Sequence, residues 1–178
     1  ADVLRLRGAS ANYAADVCIG DNILKQTADA YRKLRNTARF LLGNLHDFDP
    51  AVHAVPADEL PELDRHVLGL MQRTLDEARG AYDDFAFQRA LSAVQQLVVS
   101  DLSNFYLDVS KDRLYICAPD EPQRRACQTV LAELVRGVAA ALAPALPHLA
   151  EDIWQNLPYA APTVSVFEAG WPNMPVLT

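Results

Sequence analysis

The amino-acid sequence predicts an all-α protein, a bundle of four to five helices that ends in a short extended C-terminal tail. Long segments repeat apolar residues at spacings of three and four, and prolines gather between these segments. No repeat period or Gly-rich linker interrupts the chain. With 178 residues, of which 51% are hydrophobic, the chain is long enough to form one sizeable core.

The first long helix is predicted to begin at Asp21, whose side chain can cap it, and to loosen at Gly43. Its apolar side consists of Ile23, Ala30, Leu34, Ala38, Leu41 and Leu45. Residues 45–61 contain three prolines and read as a connecting loop.

A second helix is predicted after Pro61, because proline suits the first turn of a helix. Its apolar side consists of Leu63, Val67, Leu70, Met71, Leu75 and Ala78. The third helix is predicted over residues 86–110. Its core face consists of Leu91, Val94, Val98, Leu102, Phe105 and Val109. If this helix continued, Arg113 would point into the core, which is costly for an unpaired charge. We therefore expect it to end near Lys111 and expect Tyr106 and Phe105 to lie at the apolar edge.

A fourth helix is predicted after Asp120, a plausible cap, and Pro144 and Pro147 break it. Its apolar side consists of Leu131, Leu134, Val135, Val138 and Leu142. A short fifth helix follows over residues 149–157, and Trp154 is expected to pack it onto the bundle. The tail is expected to be extended and to be pinned by Trp171.

The first helix also carries a local reversal of charge. Residues 25–46 contain five cations and one acid, although the chain has a net charge of −7 and residues 47–84 hold ten acids and three bases. On a helix, an arc of roughly 100° opposite the apolar side collects Lys25, Arg32, Arg35, Asn36 and Arg39. This cationic stripe is either a solvated surface or a site for an anionic polymer.

Several function classes lack their sequence signatures. No phosphate-binding Gly loop, Ser elbow or paired-Cys zinc motif is present. A di-iron bundle needs two Glu-x-x-His pairs, and neither Glu62 with His66 nor His148 with Glu151 fits that pattern. The three cysteines are widely spaced, which is typical of a reducing compartment. No membrane span or signal peptide is predicted, so we expect a soluble, unexported protein.

The wording of the long helix, YRKLRNTARFLLGNLHDFDP, resembles the anticodon-binding domain of bacterial-type isoleucyl-tRNA synthetases, a class I family. The resemblance continues in register through VVSDLSNFYLDVSKDRLY, RRACQTVLAEL, PALPHLAEDIWQNLP and SVFEAGWP. It implies a connector from a missing catalytic domain at residues 1–20, the anticodon-binding bundle at residues 21–158 and the tail at residues 159–178. Arg7 and Gly8 depart from the family pattern, which leaves the packing of residues 1–10 open.

The resemblance implies a non-catalytic fragment that binds isoleucine tRNA, without a cofactor of its own. ATP and Mg would act in the catalytic part of the parent enzyme, whose nucleotide motifs are missing here. The other implied partners are the missing catalytic and C-terminal domains, in a cytoplasmic, monomeric enzyme. Two alternatives stay open: the domain of a valyl or leucyl enzyme, and a protein-interaction module whose basic stripe docks on an acidic partner.

The resemblance also assigns roles to the cationic stripe. Arg35 and Asn36 stand where related synthetases place polar side chains that face the anticodon, and Arg32 and Arg39 suit phosphate contacts, with Lys25 further along. Lys33 lies off the arc and is expected to be solvated. A second patch is predicted in an exit loop with Lys111 and Arg113, where the Arg113 guanidinium stacks on a base or pairs with Asp108 or Asp112. Arg124 and Arg125 are weaker candidates for phosphate contacts.

Overall fold

All regular secondary structure in the described part of the chain is helical. The computed structural model describes residues 1–11, 13 and 20–175. Its α-helices are α1 (Asp2–Ala9), α2 (Asp21–Gly43), α3 (Pro50–His53), α4 (Glu62–Asp83), α5 (Phe87–Gln96), α6 (Leu107–Tyr115), α7 (Pro122–Leu142) and α8 (Pro147–Gln155). A π-helical segment, Leu97–Tyr106, joins α5 to α6 without a break. The all-α bundle is thereby confirmed, and no described helix is long and apolar enough to cross a membrane.

The sequence predicts the ends of the helices more accurately than it predicts their N-cap residues. The long helix ends at Gly43, where the sequence predicts it to loosen, and α8 begins at Pro147, two residues before the predicted start of the fifth helix. The two predicted caps are wrong: Gly20 holds the N-cap position of α2, and Glu121 holds that of α7. Asp21 instead lies in the first turn of α2, where a negative charge favours the helix dipole.

Helix α7 lies at the centre of the bundle and packs against α2, α4, α6 and α8. It is buried on almost every side, beyond the single apolar face that the sequence predicts. Small residues allow this close approach on several sides, and they include Ala126, Ala132, Ala139, Ala140 and Ala141. At Gly137 the neighbouring Met71 occupies the space of a side chain, because an added Cβ would lie 2.6 Å from Met71 Cε.

The third predicted helix is longer than expected and turns a different face to the core. Phe105 and Val109 are 52% and 49% exposed, so their predicted burial is wrong. Tyr106, Ser110 and Leu114 are buried instead. The cause is the π-helical segment, in which each turn takes up more residues than an α-turn and so shifts the inward face by one position.

Helix α6 continues past Lys111 and so places Arg113 against the core, where it meets a buried carboxylate. Arg113 Nη1 and Nη2 donate to Asp64 Oδ2 and Oδ1 at 2.6 and 2.8 Å, and the Tyr106 hydroxyl donates to Oδ1 at 2.8 Å. Asp64 is fully buried, whereas the Arg113 side chain stays 17% exposed. Burial, with Cys127 and Asp64 nearby, raises the pKa of Tyr106 well above its usual value, so its hydroxyl remains a donor.

Described residues near both ends of the sequence pack onto the bundle. The Asp2 carboxylate accepts from the Leu149 backbone N–H at 2.8 Å, and Arg5 Nε donates to the Ala145 carbonyl at 2.9 Å. Residues 2–9 thus lie against the start of α8, despite Gly8. At the other end, buried Trp154 donates through Nε1 to the Thr163 carbonyl at 3.0 Å. The Trp171 ring meets the Tyr82 ring edge-on, with centroids 6.2 Å apart.

We expect Arg113→Met to lower the free energy of unfolding by about 3–5 kcal/mol, because it leaves the Asp64 carboxylate buried without a cation. Changing both residues, to Asp64→Leu and Arg113→Met, should recover most of this loss, but the Tyr106 hydroxyl still lacks its acceptor. Chemical denaturation followed by circular dichroism measures each value. Arg89→Ala, which removes an exposed pair with Asp84, is the control. A loss for Arg113→Met no larger than that of the control would contradict the proposed role of the pair.

Candidate nucleic-acid interface

The cationic stripe lies on the surface of α2, as the sequence predicts. Lys25, Arg32, Arg35, Asn36 and Arg39 are all exposed. The opposite side of the helix is buried at Leu34, Ala38 and Leu41, with Leu45 just beyond its end. The helix therefore has one side fixed in the core and one side available to a ligand.

The arginines of the stripe differ in whether they pair with another residue of the protein. Arg32 pairs with Asp29 at 2.7 Å, and both side chains are more than half exposed, so this pair exchanges readily for another partner. Arg35 and Arg39 make no hydrogen bond or ion pair with the residues that the structure describes. Both line an open cavity of about 420 Å³ between α2 and α8, together with Asp152 and Asn156.

Asn36 faces a different neighbour. It lines a second cavity of about 420 Å³, between α2 and the helical rod formed by α5, the π-helical segment and α6. Lys33 and Lys111 line the same cavity. The predicted stripe thus borders two grooves, with Arg35 and Arg39 on the α8 side and Asn36 on the α6 side.

The predicted exit-loop patch is wrong in its secondary structure. Lys111 and Arg113 both lie within α6, which continues to Tyr115. Lys111 is exposed and pairs with Asp108 at 2.8 Å. Arg113 pairs with neither Asp108 nor Asp112, because its guanidinium is held by Asp64. Its contact with RNA stays a prediction, which this geometry does not favour.

Arg124 and Arg125 both form hydrogen bonds with the loop that follows α2. Arg124 Nη2 donates to Asp47 Oδ2 at 2.9 Å, and its Nη1 donates to the Leu114 carbonyl. Arg125 is buried and donates to the Asp47 carbonyl at 2.8 Å. Gln128 Nε2 completes the cluster with a 2.6 Å bond to Asp47 Oδ1. The two arginines hold the bundle together, so phosphate contacts from them are disfavoured.

Burial raises the pKa of Asp47, but the hydrogen bonds from Gln128 and Arg124 outweigh it and lower the pKa below its usual range. The ionised carboxylate is therefore the form that the fold stabilises.

The described residues contain no group of three His, Cys, Asp or Glu side chains that would hold a metal ion. Cys117 is half-buried and Cys127 is buried, both as free thiols. Cys18 lies outside the described residues.

Sequence reasoning missed one set of functional candidates, the neutral polar side chains on the side of the rod that faces α2. Gln95, Gln96, Ser100, Ser103 and Asn104 line cavities against α2. Their dense run of amides and hydroxyls is visible in the sequence, but only the folded rod brings them opposite α2.

A comparison with protein families matches residues 64–177 to the anticodon-binding domain of tRNA ligase. Among curated proteins, an isoleucine–tRNA ligase of Synechococcus sp. is 61% identical over 96% of this chain. Isoleucine–tRNA ligases of Thermosynechococcus vestitus and Prochlorococcus marinus are 57% and 54% identical over 96% and 98% of it. The chain spans 18% of the length of each of these relatives.

We expect Asp47→Asn to destabilise the protein most near neutral pH. Because the folded pKa is lowered, the stabilisation by Asp47 is complete above its unfolded pKa of about 4 and disappears as the pH falls through the folded value. The difference between wild type and variant in free energy of unfolding should shrink as the pH falls from 7 to 3. Denaturant titrations at several pH values measure it. Asp83→Asn, at an exposed end of α4, serves as the control. A difference that stays constant with pH would rule out this role for Asp47.

Proposed function

The chain belongs to the anticodon-binding domain family of the tRNA ligases, and from that membership we propose that it binds the anticodon arm of isoleucine tRNA. The relatives that share most of its length are isoleucine–tRNA ligases. We propose that this chain supplies the corresponding segment of such a ligase.

The observation that carries the proposal is a pair of arginines on α2 that make no hydrogen bond or ion pair with any described residue. Arg35 and Arg39 are one helical turn apart and exposed. A guanidinium can donate to two phosphate oxygens at once, which suits the backbone of an RNA hairpin. Arg32 and Lys25 extend the same surface. Residues 47–84 carry the excess of acids, so a polyanion is directed toward α2 and away from α4.

The function of the domain is then positional. Phosphate contacts fix the orientation of the anticodon arm, and side chains that reach the loop distinguish its bases. We propose that the chain itself does not catalyse and needs no cofactor. Activation of isoleucine with ATP and Mg would take place in the catalytic part of a monomeric, cytoplasmic ligase.

We expect Arg35→Ala in the full-length ligase to weaken tRNA binding by about 1–3 kcal/mol and to reduce the slope of log affinity against log salt by about 1. The reason is the loss of one phosphate or base contact together with its released counterion. Fluorescence anisotropy with labelled isoleucine tRNA, from low to physiological salt, measures both quantities.

Arg79→Ala removes an exposed cation from α4 and is the matched control, for which no change is expected. If Arg35→Ala binds tRNA with wild-type affinity, Arg35 does not belong to the interface.

A separate experiment tests which amino acid the full-length ligase attaches to tRNA. Charging assays on the full-length ligase should attach isoleucine, and not valine or leucine, to its tRNA. Efficient charging with valine or leucine instead would assign the domain to one of those enzymes. If the full-length ligase binds an acidic protein or heparin more tightly than intact tRNA, the result would favour the alternative that this chain is a protein-interaction module.

A further inference from the structure

A continuous polar groove separates α2 from the rod of α5, the π-helical segment and α6. Two adjoining cavities of about 420 and 440 Å³ form it, and they share Lys33 and Val99. We name it the amide groove, because its walls carry the carboxamides Gln26, Asn36, Gln95, Gln96 and Asn104. It lies on the other side of α2 from Arg35 and Arg39.

The carboxamides of the amide groove make no hydrogen bond with any residue that the structure describes. Several amides elsewhere in the bundle are hydrogen-bonded within the protein. Asn44 donates to the Phe40 carbonyl, Gln128 donates to the Asn44 carbonyl, and Gln72 accepts from the Met174 N–H. Each carboxamide offers two donors and an acceptor. The groove therefore presents a row of uncommitted groups of both kinds.

The charges around the groove tolerate an anionic ligand. Its two carboxylates, Asp29 and Asp108, are paired with Arg32 and Lys111 at 2.7 and 2.8 Å. Lys33 has no partner among the described residues and lines both cavities. An anionic ligand that enters the groove therefore meets the ammonium group of Lys33, unpaired among the described residues, beside two carboxylates that each have a cation partner.

The π-helical segment shapes the wall that faces α2. It contributes Val99, Ser103 and Asn104 to the cavity that Asn36 lines. The shift in helical face that buries Tyr106 sets the direction of these side chains as well. Such π-helical insertions occur frequently at functional sites.

We propose that the amide groove binds unstacked bases of the anticodon loop. Carboxamides match the mixed donors and acceptors on base edges, and single-stranded loops are the usual target of sequence-specific RNA recognition. Most of the side chains that line this groove are polar, whereas a groove that takes a peptide helix is lined by apolar side chains. The inference rests on the proposed function and adds a division of labour: α2 meets phosphates on its α8 side and bases on its α6 side.

The test compares two tRNAs on the full-length ligase, native isoleucine tRNA and a transcript whose anticodon-loop bases are replaced. The double variant Gln95→Ala and Asn104→Ala should bind the native tRNA about 5- to 150-fold more weakly than wild type does, on the scale of base-edge contacts. It should bind the replaced transcript as wild type does. The salt slope should not change, because no cation is removed.

Arg35→Ala provides the contrast, since it should weaken both tRNAs and lower the salt slope. Gln123→Ala removes an exposed carboxamide on α7 and should change nothing. Asn104→Asp is a second variant, which keeps the side-chain size while it replaces a donor with a charge that repels RNA. Thermal unfolding confirms that each variant folds.

The outcomes separate the two proposals. If the double variant and Asn104→Asp bind both tRNAs as wild type does while Arg35→Ala weakens them, the groove proposal is overturned and the proposed function stands. An equal loss for both tRNAs in the double variant also overturns the groove as a base site. If Arg35→Ala and the groove variants are all without effect, the proposed function falls as well.

Discussion

The ion pair between Asp64 and Arg113 is the constraint on which the rest of the bundle depends. A fully buried carboxylate on α4 requires a cation, and Arg113 reaches it because the third rod continues through α6 and does not end near Lys111. The π-helical shift of the same rod turns Tyr106 inward to donate to this carboxylate. Phe105 and Val109 are turned outward, and Ser103 and Asn104 are turned toward α2. The geometry of the π-helical segment thus sets which of its side chains face the core and which line the surface groove.

This constraint gives α2 two different neighbours. Its apolar side is fixed against α7, so its polar side cannot rotate. Toward α8 it presents guanidinium groups beside an open cavity, and toward the π-helical segment it presents Asn36 beside uncommitted amides. Under our two proposals, the site for backbone charge and the site for base edges lie on two sides of the same helix. The cluster around Asp47 holds the end of α2 to α7 and keeps both grooves in register.

Periodicity at 3.6 residues predicts α2, α4 and α7 well, because their large apolar residues follow a regular helix. It fails on the third rod from Phe105 onward, since nothing in the periodicity marks a change to π-helical turns. The loop position of Lys111 and Arg113 is wrong for a different reason: the prediction treats Arg113 as unpaired, although it pairs with Asp64, 49 residues away in the sequence. The burial of α7 depends on alanines that a search for large apolar residues overlooks. The exposed stripe can be predicted from the sequence because it lies on a single helix. The groove cannot, because it lies between two segments that are distant in the sequence.

Photo-crosslinking from 4-thiouridine in the anticodon loop of isoleucine tRNA, bound to the full-length ligase, tests the central claim most directly. Mass spectrometry then identifies the attached peptides. The account predicts attachment to residues 26–40 of α2 and to residues 95–111 of the facing rod. Attachment to α4, or only to parts of the ligase outside this chain, would contradict it.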